Sequence, residues 1–392
     1  MSGIDTNNLD EEIVESNKEI VDNISSILSE NIKTYSRDWT VETIYNQIKQ
    51  GNIELNPKFQ RRNAWTDEKR SRLIESLILK LPVPEIVLAE SLTEKNKFVV
   101  LDGKQRLLTI AGFTDNGKYK YWDKPVLQNL KLKPTLNGLT IELLGQEVNK
   151  ELNRSFQNSD IRCTVVFNQS TDDMLYEIFY RLNSGAVPLS MQELRQSLRK
   201  GSFSDFLMES TEKIGPLHEV LGITQPDKRL IDAEILLKYI ANRIRLKVYS
   251  GNLKKFLDDT MIILNKEWSK KKDEIQKITS ELDQGITLLS SVIGMDNIGR
   301  YSGEARFNRI IFDVQLYFFS QLEKEDLNKE NNSAYITGFS ELSKRGSDFR
   351  NALTSSTSTK RNYVVRFNLF RILINTSFKK EFAQVLEVDN NE

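Results

Sequence analysis

The chain has 392 residues with 55 basic and 55 acidic side chains and a formal charge of zero, so it is long enough for two or three domains and has no bulk attraction for nucleic acid. No run of about 18 apolar residues is present to span a bilayer, and the acidic start (Asp5, Asp10, Glu11, Glu12) lacks the basic and apolar parts of a signal peptide, so a cytoplasmic location is expected. One cysteine and one histidine, Cys163 and His218, exclude an internal disulfide, an all-protein Cys/His zinc site and an HNH-type nuclease centre, which needs several histidines.

Residues 9–28 carry Leu9, Ile13, Ile20, Ile24 and Ile27 at near-helical spacing, and residues 1–39 are read as an amphipathic helical extension. A helix over 41–49 is expected next, capped by Thr40 and left at Gly51, and then a short strand around Ile53 and Leu55. Thr66 caps a helix with Asp67 and Glu68 in its first turn, whose buried stripe is Leu73, Ile74, Leu77, Ile78 and Leu81. Pro82 and Pro84 stop it. Strands over 85–89 and 98–101 follow, then a helix, then an irregular or hairpin insert over 115–138.

A helix over 141–156 precedes the clearest strand of the chain, residues 161–167, in which Cys163 reads as a buried thiol. Thr171, Asp172 and Asp173 open a helix over 174–182, and Ser190 with Glu193 forms a capping box for another that ends near Gly201. From about residue 203 helical periodicity dominates, over 231–246, 253–268, 275–292, 307–322 and 364–378. The expected architecture is α+β: a domain over 40–202 built on a small mixed sheet, followed by an all-helical domain over 203–392.

Chemistry concentrates at Asp102-Gly103-Lys104-Gln105-Arg106, directly after the apolar run Phe98-Val99-Val100-Leu101. A strand that ends at a glycine turn and feeds a helix points free N–H groups at an anion, and Lys104 and Arg106 add positive charge. Asp102 can orient Arg106, hold a metal or position a water. The competing reading is a charged turn with a surface ion pair. Three more polar segments stand apart from any core: the loop Asn56 to Trp65 with Gln60 and Arg61, the helix end Tyr180 to Gly185 with Arg181 and Asn183, and Gln192 to Arg195. If they converge on the turn they make an arginine-lined cleft suited to a triphosphate. Arg195 has the alternative of pairing within its own helix. Residues 58–72 hold six basic side chains against two acids, and residues 344–371 hold seven against one around the Thr354 to Thr359 hydroxyl tract. These are phosphate-contacting candidates or plain solvated loops.

Phe59-Gln60-Arg61 with Trp65, Leu73-Ile74-Glu75-Ser76 with Pro82-Val83-Pro84, Leu101 to Arg106, and Arg181 to Gly185 with Leu189 and Glu193-Leu194-Arg195 together resemble the DUF262 family, over residues 40–200 in order. That family is similar to the N-terminal half of the GmrSD modification-dependent restriction enzymes. The resemblance implies a ParB/sulfiredoxin-like core, a nucleoside triphosphate as ligand, its hydrolysis, and a part in defence against foreign or modified DNA. Hydrolysis normally calls for Mg²⁺ and a carboxylate, and Asp102, the only acid inside the motif set, is the candidate for the catalytic role. By carry-over, Asp102, Gly103, Gln105 and Arg106 face the phosphates, Gln60 and Arg61 stand beside them, and Arg181 and Asn183 close the cleft. Lys104 stands where glutamine is commoner in the family, which adds a cation.

The resemblance makes DNA and a separate nuclease or effector subunit the candidate partners, leaves homo-oligomerisation open, and calls for no membrane. The leading expectation is a nucleotide-binding sensor or regulator without its own HNH nuclease. The alternative is a nucleotide-independent DNA-binding or scaffold protein with a degenerate NTP site. A nuclease of the Asp/Glu-Lys type finds no strand carrying the required acids and lysine.

Overall fold

The computed structural model describes residues 33–53, 55, 65–91, 94–119, 122–167, 175, 178 and 190–384. They fall into two compact units, residues 33–198 and residues 199–384, each with its own apolar core.

The first unit is built on a four-stranded mixed sheet. Its strands are β1 (Lys33–Thr40), β2 (Ile86–Glu90), β3 (Phe98–Asp102) and β4 (Asp160–Phe167), in the spatial order β1-β4-β2-β3. β1 and β4 run antiparallel with Lys33 opposite Phe167 and Thr40 opposite Asp160; β4 and β2 are parallel, and β2 and β3 close as an antiparallel pair. Along β4 the residues Ile161, Cys163 and Val165 are buried while Arg162 is exposed, the alternation of a strand with one face on a core. That core also receives Ile44, Ile74, Leu77, Leu107, Ile110, Phe113 and Phe156. They come from α1 (Val41–Lys49), α2 (Asp67–Ile78), α3 (Lys104–Thr114) and α5 (Lys150–Gln157), the last preceded by the short α4 (Ile141–Leu144).

The opposite face of the sheet is polar towards β1, where Asp38 pairs with Arg162 at 3.0 Å and Ser36 meets Thr164 at 2.9 Å. Towards β3 it changes character. Val87, Ala89, Leu101 and Val166 are buried, and α6 (Met191–Leu198) packs on β3 with Met191 and Leu194 buried. The sheet is therefore covered on both sides where β3 ends.

The first unit corrects several expectations. Residues 33–40 are a strand and not part of a helical extension, and they complete the sheet at its edge. Ile53 makes an isolated bridge to Phe98, and neither Asn52 nor Leu55 is in a strand. Leu81 is 40% exposed because α2 ends at Ile78, one turn short of it. The single helix expected over 141–156 is broken by a 3-10 turn, Glu147–Asn149. Of the helix expected over 174–182 only Leu175 and Ile178 are described, both helical; the helix expected over 9–28 lies outside the described residues.

The second unit is helical: α7 (Ser202–Ser210), α8 (Pro216–Val220), α9 (Ile231–Arg245), α10 (Leu253–Ile293), α11 (Arg309–Phe319), α12 (Lys329–Leu342), α13 (Asp348–Asn351) and α14 (Lys360–Phe378). α9 is its spine. Ile235, Leu236, Leu237, Tyr239 and Ile240 are buried, and Lys238 pairs with Asp313 of α11 at 2.6 Å while Arg243 pairs with Glu281 of α10 at 2.8 Å. His218 belongs to this framework. Its Nδ1 accepts the Gly215 N–H at 3.2 Å, which places the ring proton on Nε2, 3.2 Å from the buried Asp232 carboxylate. None of the helices among the described residues is long and apolar enough to cross a membrane.

Candidate functional site

β3 delivers Asp102 to a turn from which α3 departs. Gly103 takes φ 92° and ψ 8°, the left-handed conformation that costs glycine least. It is also the N-cap of α3, and having no side chain it accepts no N–H from the first helical turn. α1 and α2 differ, since Thr40 and Thr66 cap them through their hydroxyls. Among the described residues no side chain caps the positive end of the α3 dipole, and Lys104 stands at the first helical position.

Asp102 fastens the turn. Its Oδ1 accepts the Gly103 N–H at 2.7 Å, and its Oδ2 accepts from Arg106 Nη2 at 3.0 Å. The same Nη2 donates to the carbonyl oxygen of Glu85 at 2.8 Å, just ahead of β2. Arg106 therefore ties the entry of β2 to the exit of β3, and its side chain is 11% exposed against 43% for Asp102. This is the orienting role weighed for Asp102. Arg106 acts as a brace of the turn, with two of its contacts to protein oxygens. Among the described residues, Arg106 Nε and Gln105 Oε1 are buried without a hydrogen-bond partner.

The second wall comes from α6. Ser190 and Glu193 form the expected capping box: the Glu193 N–H donates to Ser190 Oγ at 3.0 Å and the Ser190 N–H to Glu193 Oε2 at 2.8 Å. The other carboxylate oxygen, Oε1, lies 3.6 Å from Lys104 Nζ, with the two side chains 12% and 9% exposed. That contact joins the first turn of α6 to the first turn of α3. Arg195 is buried and donates to Gln192 Oε1 at 2.6 Å, a contact within its own helix. Gln192 is fully buried, and its Nε2 has no partner among the described residues.

The structure thus brings Asp102, Gly103, Lys104, Gln105 and Arg106 together with Glu193 of α6. Gln60, Arg61, Arg181 and Asn183 lie outside the described residues. One contributor escaped the motif reading: Glu85 acts through its backbone carbonyl, which no side-chain pattern reports. Glu193 lies in the segment expected to converge on the turn, but that it meets Lys104 there depends on tertiary packing. No group of three or more His, Cys, Asp or Glu side chains that could hold a metal ion occurs among the described residues.

Residues 41–199 match the family model of the GmrSD restriction endonuclease, N-terminal domain. The match begins at the first residue of α1 and ends just past α6, so both walls of the site fall inside the GmrSD-type segment. It bears out the resemblance carried by the ordered motifs. The segment is less than half of the chain, and the helical unit lies almost wholly beyond it. No curated protein and no solved structure matches the chain.

Proposed function

We propose that the GmrSD-type segment is the nucleotide-binding unit of a restriction-like DNA-defence protein, with a ParB/sulfiredoxin-like core and the phosphates of an NTP seated at the Gly103 turn. The observation that carries this reading is the uncapped N-terminus of α3, with Gly103 left-handed and Lys104 at its first position, inside the matched segment. Arg106 and Asp102 hold the turn in shape, and Gln105 Oε1, buried without a partner among the described residues, leaves an amide that a half-turn can present as a donor. Gln60, Arg61, Arg181 and Asn183 complete the phosphate cleft in this reading.

The Asp102 oxygens accept the Gly103 N–H and the Arg106 guanidinium, one each, and keep lone pairs, which suits the single-carboxylate support that Mg²⁺ commonly has beside bound phosphates. Asp102 is then the residue that would hold the ion, which supplies charge neutralisation for NTP hydrolysis. With one histidine in the chain, DNA cleavage by an HNH centre falls to a separate nuclease or effector subunit. DNA is the partner whose engagement the nucleotide controls.

The test is a thermal-shift panel with ATP, GTP, CTP and UTP, with and without Mg²⁺, on the full chain and on Lys104→Ala. Binding raises the folded-state stability, by about 2.7 kcal/mol at a hundredfold excess over Kd. At least one NTP is expected to raise the wild-type midpoint and to raise that of Lys104→Ala much less. Four NTPs without effect on the wild type would end the reading.

One observation favours the alternative of a nucleotide-independent DNA-binding or scaffold protein. Both cations of the turn already sit against carboxylates, Lys104 on Glu193 and Arg106 on Asp102. DNA affinity that falls steeply with salt and is unchanged by NTP would select it.

A further inference from the structure

We infer that Glu193 is a built-in competitor for the anion site: its carboxylate holds the Lys104 ammonium until a polyanion of sufficient charge takes that ammonium over. The inference rests on the nucleotide-site reading above and adds a selectivity device to it.

The geometry makes the carboxylate the fixed partner and the lysine the moving one. Glu193 is the third residue of α6 and is held at both ends of its own capping box, through Oε2 at 2.8 Å and its N–H at 3.0 Å. Its placement is set by α6 whether or not Lys104 is present. Lys104 is a flexible four-carbon stem on the first residue of α3, beside the uncapped helix end. At 3.6 Å the pair is loose for a charge-assisted hydrogen bond, for which 2.7–2.9 Å is usual, yet both side chains are about nine-tenths covered. Removal from water strengthens the attraction and makes it costly to leave Lys104 without a counter-charge.

A phosphate arriving at the α3 N-terminus must therefore outbid a carboxylate already in place. A single phosphate offers Lys104 little that Glu193 does not. A triphosphate offers several charges to the helix end and to Lys104 at once, so the exchange favours it. Glu193 thereby raises the threshold for all anions and filters out those of low charge. The structural class selected is a polyphosphate, with orthophosphate and nucleoside monophosphates rejected.

Glu193→Gln tests this on the full chain, because glutamine serves in a capping box as glutamate does and only the charge is removed. Isothermal titration with inorganic tripolyphosphate is expected to show binding about 5- to 10-fold tighter in Glu193→Gln than in wild type, the range of a modest coupling between sites. Orthophosphate, silent with the wild type, is expected to bind the variant. The gain requires the ammonium, so it is absent when Glu193→Gln is made in a Lys104→Met background. A wild type that is silent beside a variant that binds supports the inference as well. Equal or weaker tripolyphosphate binding by Glu193→Gln, or a gain that persists without Lys104, overturns the inference and leaves the nucleotide site standing. If wild type and variant alike bind neither tripolyphosphate nor any of the four NTPs, both readings fall together.

Discussion

At Gly103 a β-carbon would stand 3.0 Å from Ile86 Cγ1, 3.3 Å from Ile86 Cα and 3.2 Å from Arg106 Nη2, in a backbone conformation of φ +92°. Gly103→Ala therefore pays twice: about 1–2 kcal/mol for a left-handed L-residue, and a further cost for pressing on β2 and on the guanidinium that braces the turn. The urea midpoint is expected to fall accordingly, and under the proposed function the lost alignment of Asp102 and Arg106 shows as weaker NTP binding even where the variant is fully folded. The Asp102–Arg106 pair was legible in the sequence, because residues four apart on a helix start are neighbours whatever the tertiary fold. The Lys104–Glu193 pair was not, since its two members are far apart in the sequence and meet only when α6 packs on β3.

Elements tell the same story of local against distant causes. Thr40 and Thr66 cap helices where their spacing predicts, through N–H groups three residues on. β1 went unseen because its burial is mostly exposed or intermediate and its residues, Lys33 to Thr40, lack an apolar alternation; its order comes from pairing with β4. The two helices expected over 253–268 and 275–292 are one 41-residue helix, α10. The polar stretch between them contains no glycine or proline, and a polar segment without a breaker can stay helical in water, here with a Lys271–Glu274 pair at 2.7 Å. Near its far end, Gly285 lets α10 approach the end of α11. A β-carbon there would lie 2.7 Å from both Ser320 Cα and Ser320 N. Glycine to alanine in a helix interior normally stabilises by about 1 kcal/mol; Gly285→Ala is expected to reverse that sign and destabilise by about 1–3 kcal/mol through overpacking. A chemical-denaturation curve followed by far-ultraviolet circular dichroism checks it, and a gain in stability would contradict the close approach.

For the molecule as a whole, the division into a sheet-bearing unit and a helical unit gives the first its own chemical reporter. The only thiol of the chain, Cys163, is buried in the core of the first unit, and burial, then the nearby charges of Asp38 and Glu85, push it up to about 12. The thiol stays protonated and shielded at neutral pH, so iodoacetamide reads the opening of that unit. Ile74→Ala removes a fully buried side chain from the same core and is expected to cost about 2–5 kcal/mol. Labelling of Cys163 should accelerate on the order of 30-fold or more, taking tenfold per 1.4 kcal/mol. An unchanged labelling rate would mean that Cys163 is reached without opening the core around Ile74. The α+β then all-helical order of the chain was legible because periodicity changes from two residues to 3.6 after the β4 region; how the sheet is ordered was not, because parallel pairing of β2 with β4 leaves no mark in either strand.

The strand order also fixes a timetable for synthesis. Among the described strands β1 pairs with β4 alone, which is synthesised later, and contacts such as Asp38 with Arg162 join residues 124 positions apart. The same late strand is what β2 needs on its other side. Until β4 emerges, β1 and the β2 side of the β2–β3 pair each have a flank waiting for it, a nascent state open to mispairing and to chaperone capture. The Gly103 turn, although encoded in the first third of the polypeptide, is walled in only when α6 has followed β4 out of the exit tunnel. A ribosome stalled before that point would display the bend without its counter-charge, and the Lys104–Glu193 contact is among the last features of its unit to form.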